Sequence, residues 1–177
     1  MTRRRRLYLK IIHWLMVPLF IWFLVIGPPQ AHALGKYGFL VHSNLALVFV
    51  ILCIGWTIDF VVRGLATTRT PKLPNWAKRV HWWMHRLIIW GLFAVALGGF
   101  LLGLTSNRLL KAGGFLPIAP PQSMHQANAI IGDIHILQFY ALGGLIGVHA
   151  VFHIWRHYKV KDNALKVMLP KMFHKYL

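Results

Sequence analysis

His135 and His149 stand fourteen residues apart in a stretch that is otherwise almost entirely apolar. Fourteen residues is close to four turns of α-helix, so both imidazoles leave one helix face, about 21 Å apart at about 1.5 Å per residue. The chain holds eleven histidines, and most lie inside or at the edges of apolar runs. An ionisable residue in such a run is costly and marks a functional site by default. Each level offers a second histidine: His42 at the depth of His135, and His13 at the depth of His149. Two imidazoles on facing helices, one on either side of a flat macrocycle, are what a six-coordinate b-type haem requires. Two such haems, one above the other, would make an electron path across the bundle. Any one of these histidines, taken alone, reads as a hydrogen-bonded core residue; four falling into two depth pairs argue for ligation. Cys-x-x-Cys-His is absent, which excludes covalent c-type attachment. A closed zinc site wants about four ligands converging on one point, whereas these are spread over two levels.

The remaining histidines are ambiguous. His85 or His153 can replace His13 or His149 as inner ligand, or bond a haem propionate or a quinone oxygen; with His81, they read equally well as structural or interfacial residues. The region of His85, His153 and His157 is the candidate quinone position. His32, His125 and His174 fall in loops or the tail and read as surface residues. The single cysteine, Cys53, rules out a disulfide scaffold and reads as a small buried residue.

Helices in lipid must position these side chains. The chain of 177 residues has 57% hydrophobic and 13% charged residues and a mean hydropathy of +0.55, against about 25% charged residues in a soluble domain. Disorder is excluded by the same numbers. Crossing a bilayer takes about 20 apolar residues, and four runs suffice: residues 7–27, 39–62, 81–104 and 134–155. Backbone amides in hydrocarbon are bonded within their own segment, so each run is expected to be helical. The expectation is a single all-α domain over residues 1–177, a transmembrane four-helix bundle. Gly27-Pro28-Pro29 ends the first run, Pro71 and Pro74 mark the second connection, and Pro117, Pro120 and Pro121 punctuate the third. The Arg-rich start followed by Ala31-His32-Ala33 has the outline of a cleaved leader; the apolar run is at the long end for one, so it is read as a retained span.

Seventeen of the twenty Lys and Arg residues lie before the first run or in its opening turn, in or beside the middle connection, or after the fourth run; only Lys36, Arg108 and Lys111 lie in the other two connections. Positive residues stay on the cytoplasmic side, so both termini are expected there. The net charge of +17 thereby follows from topology and needs no nucleic acid partner. Membrane lipid is the expected partner of the basic surface. Arg86, Lys10 and Arg156 on the inner side, and Lys36 and Arg108 on the outer, are candidate partners for anionic haem propionates, although basic residues at helix ends commonly snorkel to headgroups. Trp14, Trp22, Trp82, Trp83, Trp90 and Trp155 line haem faces or form interfacial belts.

Several segments carry a family resemblance: Ile12-His13-Trp14, Val41-His42, His81 and His85 followed by Leu92-Phe93 and Gly98-Gly99, Ile134-His135, Gly147-Val148-His149-Ala150, and the exit Lys161-Asp162-Asn163-Ala164-Leu165 with Met168-Leu169-Pro170. In order and spacing the chain resembles the bacterial cytochrome b561 family over nearly its whole length. A similar four-helix plan occurs in cytochrome subunits of formate dehydrogenases and nickel–iron hydrogenases. The resemblance implies two b haems, the outer held by His42 and His135 and the inner by His13 and His149, with a multi-pass location in the bacterial inner membrane. It also implies electron exchange with a quinone, ubiquinone or menaquinone, and in some members superoxide as outer donor. Axial ligands on both faces leave no open iron position, which disfavours oxygen binding and assigns no catalytic side chain. Three readings follow. One is a stand-alone oxidoreductase carrying electrons from an outer donor to quinone. Another is a haem-bearing subunit of a larger respiratory or photosynthetic complex. The third, a non-redox module, is opposed by the four histidines. The long connection from Thr105 to Asp133 is a candidate docking surface for other subunits.

Overall fold

The computed structural model describes residues 2–35, 37–66, 72–169 and 171–176. Lys36, Pro71 and Pro170, named above, lie outside the described residues, as do the basic residue Arg69 and the side chains of Met168 and Lys171. Four helices are long and apolar enough to cross a membrane. They are α1 (Arg3–Val25), α3 (Gly38–Arg63), α4 (Asn75–Thr105) and α5 (His125–Trp155); a short α2 (Pro28–Ala33) joins the first two. Their lengths of 23, 26, 31 and 31 residues correspond to about 35 to 47 Å.

Each helix starts or stops for a local reason. Thr2 caps α1, its hydroxyl accepting from the Arg5 N–H at 3.3 Å. Pro28 and Pro29 occupy the first turn of α2, where a missing N–H costs nothing. Gly64 ends α3 with φ +69°, its N–H donating to the Phe60 carbonyl at 2.8 Å. α4 and α5 both begin before the apolar runs that announced them. The extra turns of α5 carry Asn128, whose amide donates to the Leu102 carbonyl at 2.9 Å and the Thr105 hydroxyl at 2.8 Å.

Between α4 and α5 the chain forms a small antiparallel hairpin, β1 (Leu110–Ala112) and β2 (Leu116–Ala119). Gly113 and Gly114 turn it with φ of +64° and +81°. The hairpin is tied to α3, the Gly113 N–H donating to the Asn44 side-chain oxygen at 2.9 Å. This end is called the hairpin end. The opposite one, where α1 starts and α5 stops, is called the basic end.

At the basic end Arg5 of α1 grips Asp59 of α3 through contacts of 3.3, 3.0 and 2.8 Å, with Arg63 adding a bond of 3.1 Å. Asp59 is buried, and an unpaired carboxylate at this depth would be strongly destabilising. Past α5 a π-helical turn, Arg156–Val160, leads into α6 (Ala164–Met168). The Arg156 and Asp162 side chains pair at 2.6 Å while almost wholly buried, and Asp162 also accepts from the Ala164 N–H at 3.0 Å. Lys10 donates to the Leu169 carbonyl, fastening the tail to α1.

α5 packs mainly on α4, α4 on α3, and α3 on α1, while α1 touches α5 only lightly. The mid-bundle core joins Ile12, Met16 and Phe20 of α1, Phe49 and Cys53 of α3, Leu92, Val95 and Ala96 of α4, and Leu142 of α5. Phe20 stacks on Phe139 at 4.8 Å, a pairing worth about 0.5–1.5 kcal/mol beyond its burial. Cys53 is fully buried and free, as read from the sequence. On α5, Leu142 and Phe152 are the buried residues among those described; most of its apolar surface faces outward.

Candidate functional site

The histidines gather at two levels separated by that apolar core. At the hairpin end, His42 meets Phe23 edge-on at 5.1 Å and lies nearly parallel to Phe39 at 6.4 Å. Phe39 stacks in turn on His32 at 4.5 Å, and the Arg108 guanidinium lies 4.8 Å from the Phe39 ring centre. His32 is exposed, as expected, yet it continues the stack that reaches His42. His135 on α5 lies against α4 at Gly98 and Gly99. A Cβ at Gly98 would fall 2.9 Å from its Nδ1, and one at Gly99 3.3 Å from its Cε1. The glycine pair thus admits the imidazole to the α4 backbone, a use of small residues common between membrane helices.

Towards the basic end the arrangement is crowded. His85 lies 4.1 Å from His81, 4.8 Å from His149 and 5.5 Å from His153, ring centre to ring centre. His149 and His153 are 4.5 Å apart. His13, on α1, packs beside Trp14 and Trp56 at 5.6 and 6.2 Å and is within electrostatic reach of His85 and His149. Sequence reasoning placed His81, His85 and His153 at this level but did not foresee that they would converge. That depends on which faces α4 and α5 turn to each other, and the one-turn spacing of His81/His85 and of His149/His153 is the signal that was available. His157 is buried in the π-helical turn. His125 is exposed, whereas His174 is half-buried and within bonding distance of the Leu169 carbonyl at 3.1 Å.

The basic candidates also separate. Arg86 lies over the Trp82 ring at 3.8 Å and near Phe60 at 5.6 Å, and its buried Nε has no hydrogen-bond partner. Lys10 and Arg156 are engaged by the tail, with Leu169 and Asp162. Trp82, Trp83 and Trp90 are exposed on the outside of the bundle, as a lipid-facing belt requires; Trp14, Trp22 and Trp155 are partly covered.

One observation links the four histidines paired by depth. His13, His42, His135 and His149 each have a buried Nδ1 without a hydrogen-bond partner, a state they share with His157 beyond the end of α5. Buried polar atoms are nearly always satisfied, and a neutral imidazole can bind metal through either ring nitrogen. This donor set suits an iron porphyrin: borderline nitrogen ligands on three helices, in a dry bundle interior.

The bundle and its two histidine levels define a multi-pass membrane protein of the histidine-rich four-helix class. The family model for prokaryotic cytochrome b561 matches residues 4–171, and the chain belongs to that family. It is accordingly a membrane electron-transfer protein that binds b-type haem. A search of curated proteins finds no match to the chain.

Proposed function

We propose that this chain is a dihaem cytochrome carrying electrons across the bacterial inner membrane, between a donor at the hairpin end and a quinone taken from the lipid. His42 and His135 hold one b haem, and His13 and His149 hold the other. The observation that carries this reading is the set of four unpartnered imidazole nitrogens at two depths on α1, α3 and α5. The bound haems supply one-electron redox chemistry, and the protein supplies ligation, orientation and electrostatics. His42 and His135 are steadied by Phe39 and by the Gly98–Gly99 surface; His149 is packed by His85 and His153. Arg86 is the propionate partner proposed at the basic end, because its buried Nε has no other acceptor. Arg108, beside Phe39, takes that role at the hairpin end. The apolar layer of Phe20, Phe49, Cys53 and Phe139 excludes water between the levels.

The basic end is cytoplasmic by its charge. Quinone, ubiquinone or menaquinone, docks there beside His157, whose buried Nδ1 lacks a partner. Arg108 and Lys111 give the hairpin a positive field that raises the local concentration of a small anionic donor such as superoxide. A second reading, a cytochrome subunit with no substrate of its own, draws on the outward apolar surface of α5 and on the exposed Phe115, Leu116 and Ile118 of the hairpin.

A reduced-minus-oxidised spectrum with haem quantification tests the core of the proposal. Two b haems per chain are expected, and absence of b-type bands overturns it. Purification in mild detergent separates the two roles. A lone haem protein reducible by quinol or superoxide is the first; companion subunits that stay bound are the second.

A further inference from the structure

We propose that His81, His85 and His153 form a separate metal site at the basic end, taking a transition-metal ion of the zinc class. One ligand nitrogen from each lies within 4.8 Å of the others. The haem reading takes its iron ligands from four other histidines, and although His85 and His153 pack against His149, none of these three is an axial ligand in it. The His85 Nδ1 lies 2.7 Å from the His81 carbonyl. A carbonyl only accepts, so Nδ1 carries the proton and Nε2 keeps its lone pair for a ligand. Metal-binding histidines are habitually held this way, by a hydrogen bond from the other ring nitrogen to a backbone carbonyl. The His153 Nε2 is buried and has no partner. Among the described residues no hydrogen bond joins the three rings to one another. Three imidazoles brought this close offer a cation a ready set of nitrogen donors.

The reach is short. Zinc–nitrogen bonds of about 2.0–2.1 Å at tetrahedral angles place the nitrogens about 3.3 Å apart, which small side-chain rotations on one helical turn of α4 and one position of α5 can supply. Three imidazoles with no carboxylate select zinc or copper over calcium or magnesium. The neighbouring Arg156 guanidinium bears on all three histidines, and Asp162, paired with it at 2.6 Å, offsets part of its charge. Three protein ligands leave the fourth position of a tetrahedral ion open to water or another small ligand.

The test uses untagged, haem-loaded protein in detergent, equilibrated with Zn2+ and desalted, with zinc measured by atomic emission and affinity by titration. One zinc per chain is expected. His81→Gln and His153→Gln should each weaken binding by at least about tenfold, since loss of a partner even one shell further out costs about 10–100-fold. His81→Cys, which keeps a zinc-binding atom, should restore it. The haem spectrum of each variant reports its fold. If one variant loses haem, the other decides; if both lose haem together with zinc, the cluster serves the haem and the proposal falls. It falls equally if no zinc is retained, or if zinc binding is unchanged in both Gln variants, which would place the ion at exposed positions such as His32 or His125.

Discussion

At the hairpin end His42 rests on Phe23 and Phe39, and His135 rests on two glycines; towards the basic end His149 shares its space with His85 and His153, both within 4.8 Å. One level offers a single imidazole from each of α3 and α5, with His32 set apart behind Phe39, the other a cluster. A level with one imidazole per helix has no substitute when one is removed. A crowded level has neighbours that can turn into the vacated position. Redundancy, more than affinity, should separate the two levels in experiment.

The largest expected effect is loss of a haem. His42→Ala or His135→Ala should bring haem content from two to one per chain, read from the haem-to-protein ratio, with the surviving spectrum unaltered. His149→Ala should leave an intermediate content with a shifted band, because His85 and His153 stand beside it. Loss of both haems, or of neither, in the His42 or His135 variants contradicts the depth pairing. A clean loss of one haem in His149→Ala removes the contrast between the levels.

Next is the anchor beneath the crowded level. The Arg156 and Asp162 side chains are 6% and 0% exposed, and removing one partner from a buried pair costs about 3–5 kcal/mol. Asp162→Ala also strips the acceptor from the Ala164 N–H. The thermal midpoint for haem release should fall accordingly, with the band assigned to His13 and His149 affected before the other. A drop below about 1 kcal/mol would be the behaviour of a solvent-screened pair, and would mean that water reaches this turn.

These elements differ in how far the sequence announces them. The four spans are legible because twenty apolar residues in a row have few other uses, and the His135/His149 spacing is legible because helical geometry is fixed. Helix ends are less so. Gln126, Asn128 and Asp133 hide the first turns of α5 from any measure of apolarity, although Asn128 bonds firmly to α4. The hairpin is written in Gly113-Gly114, but Pro117 breaks the pattern of a strand and the segment reads as loop. The cluster of His81, His85 and His153 depends on how α4 and α5 are rotated about their axes, and packing decides that. Gly98-Gly99 is visible in the sequence; its contact with His135 is not.

That contact provides a finer probe of the hairpin end. A methyl at Gly98 would meet His135 Nδ1 at 2.9 Å, whereas one at Gly144 meets nothing within 4 Å. Gly98→Ala should displace the imidazole and lower occupancy of the haem assigned to His42 and His135, leaving the other intact. Gly144→Ala makes the same chemical change in open space. It should leave both bands in place and hold or slightly raise stability, since alanine is favoured over glycine in a helix by about 1 kcal/mol. Equal behaviour of the two variants would mean that the glycine pair does not position His135.

The smallest expected effect lies between the levels. Cys53 is fully buried in the layer with Phe20, Phe49 and Leu142, its carbonyl accepting from the Thr57 hydroxyl at 2.8 Å. A thiol is also a metal ligand, so its position among aromatic rings raises the question whether it takes part in ligation. Substitution by alanine keeps the backbone carbonyl and its hydrogen bond and removes one sulfur atom. The cost is a small cavity, about 1 kcal/mol by analogy with the loss of one buried methylene-sized group. Cys53→Ala should therefore leave both b-type bands and the haem count unchanged while lowering the thermal midpoint slightly. A band that moves or disappears would tie the thiol to one level, and the apolar layer could then no longer be treated as a passive spacer between two independent sites.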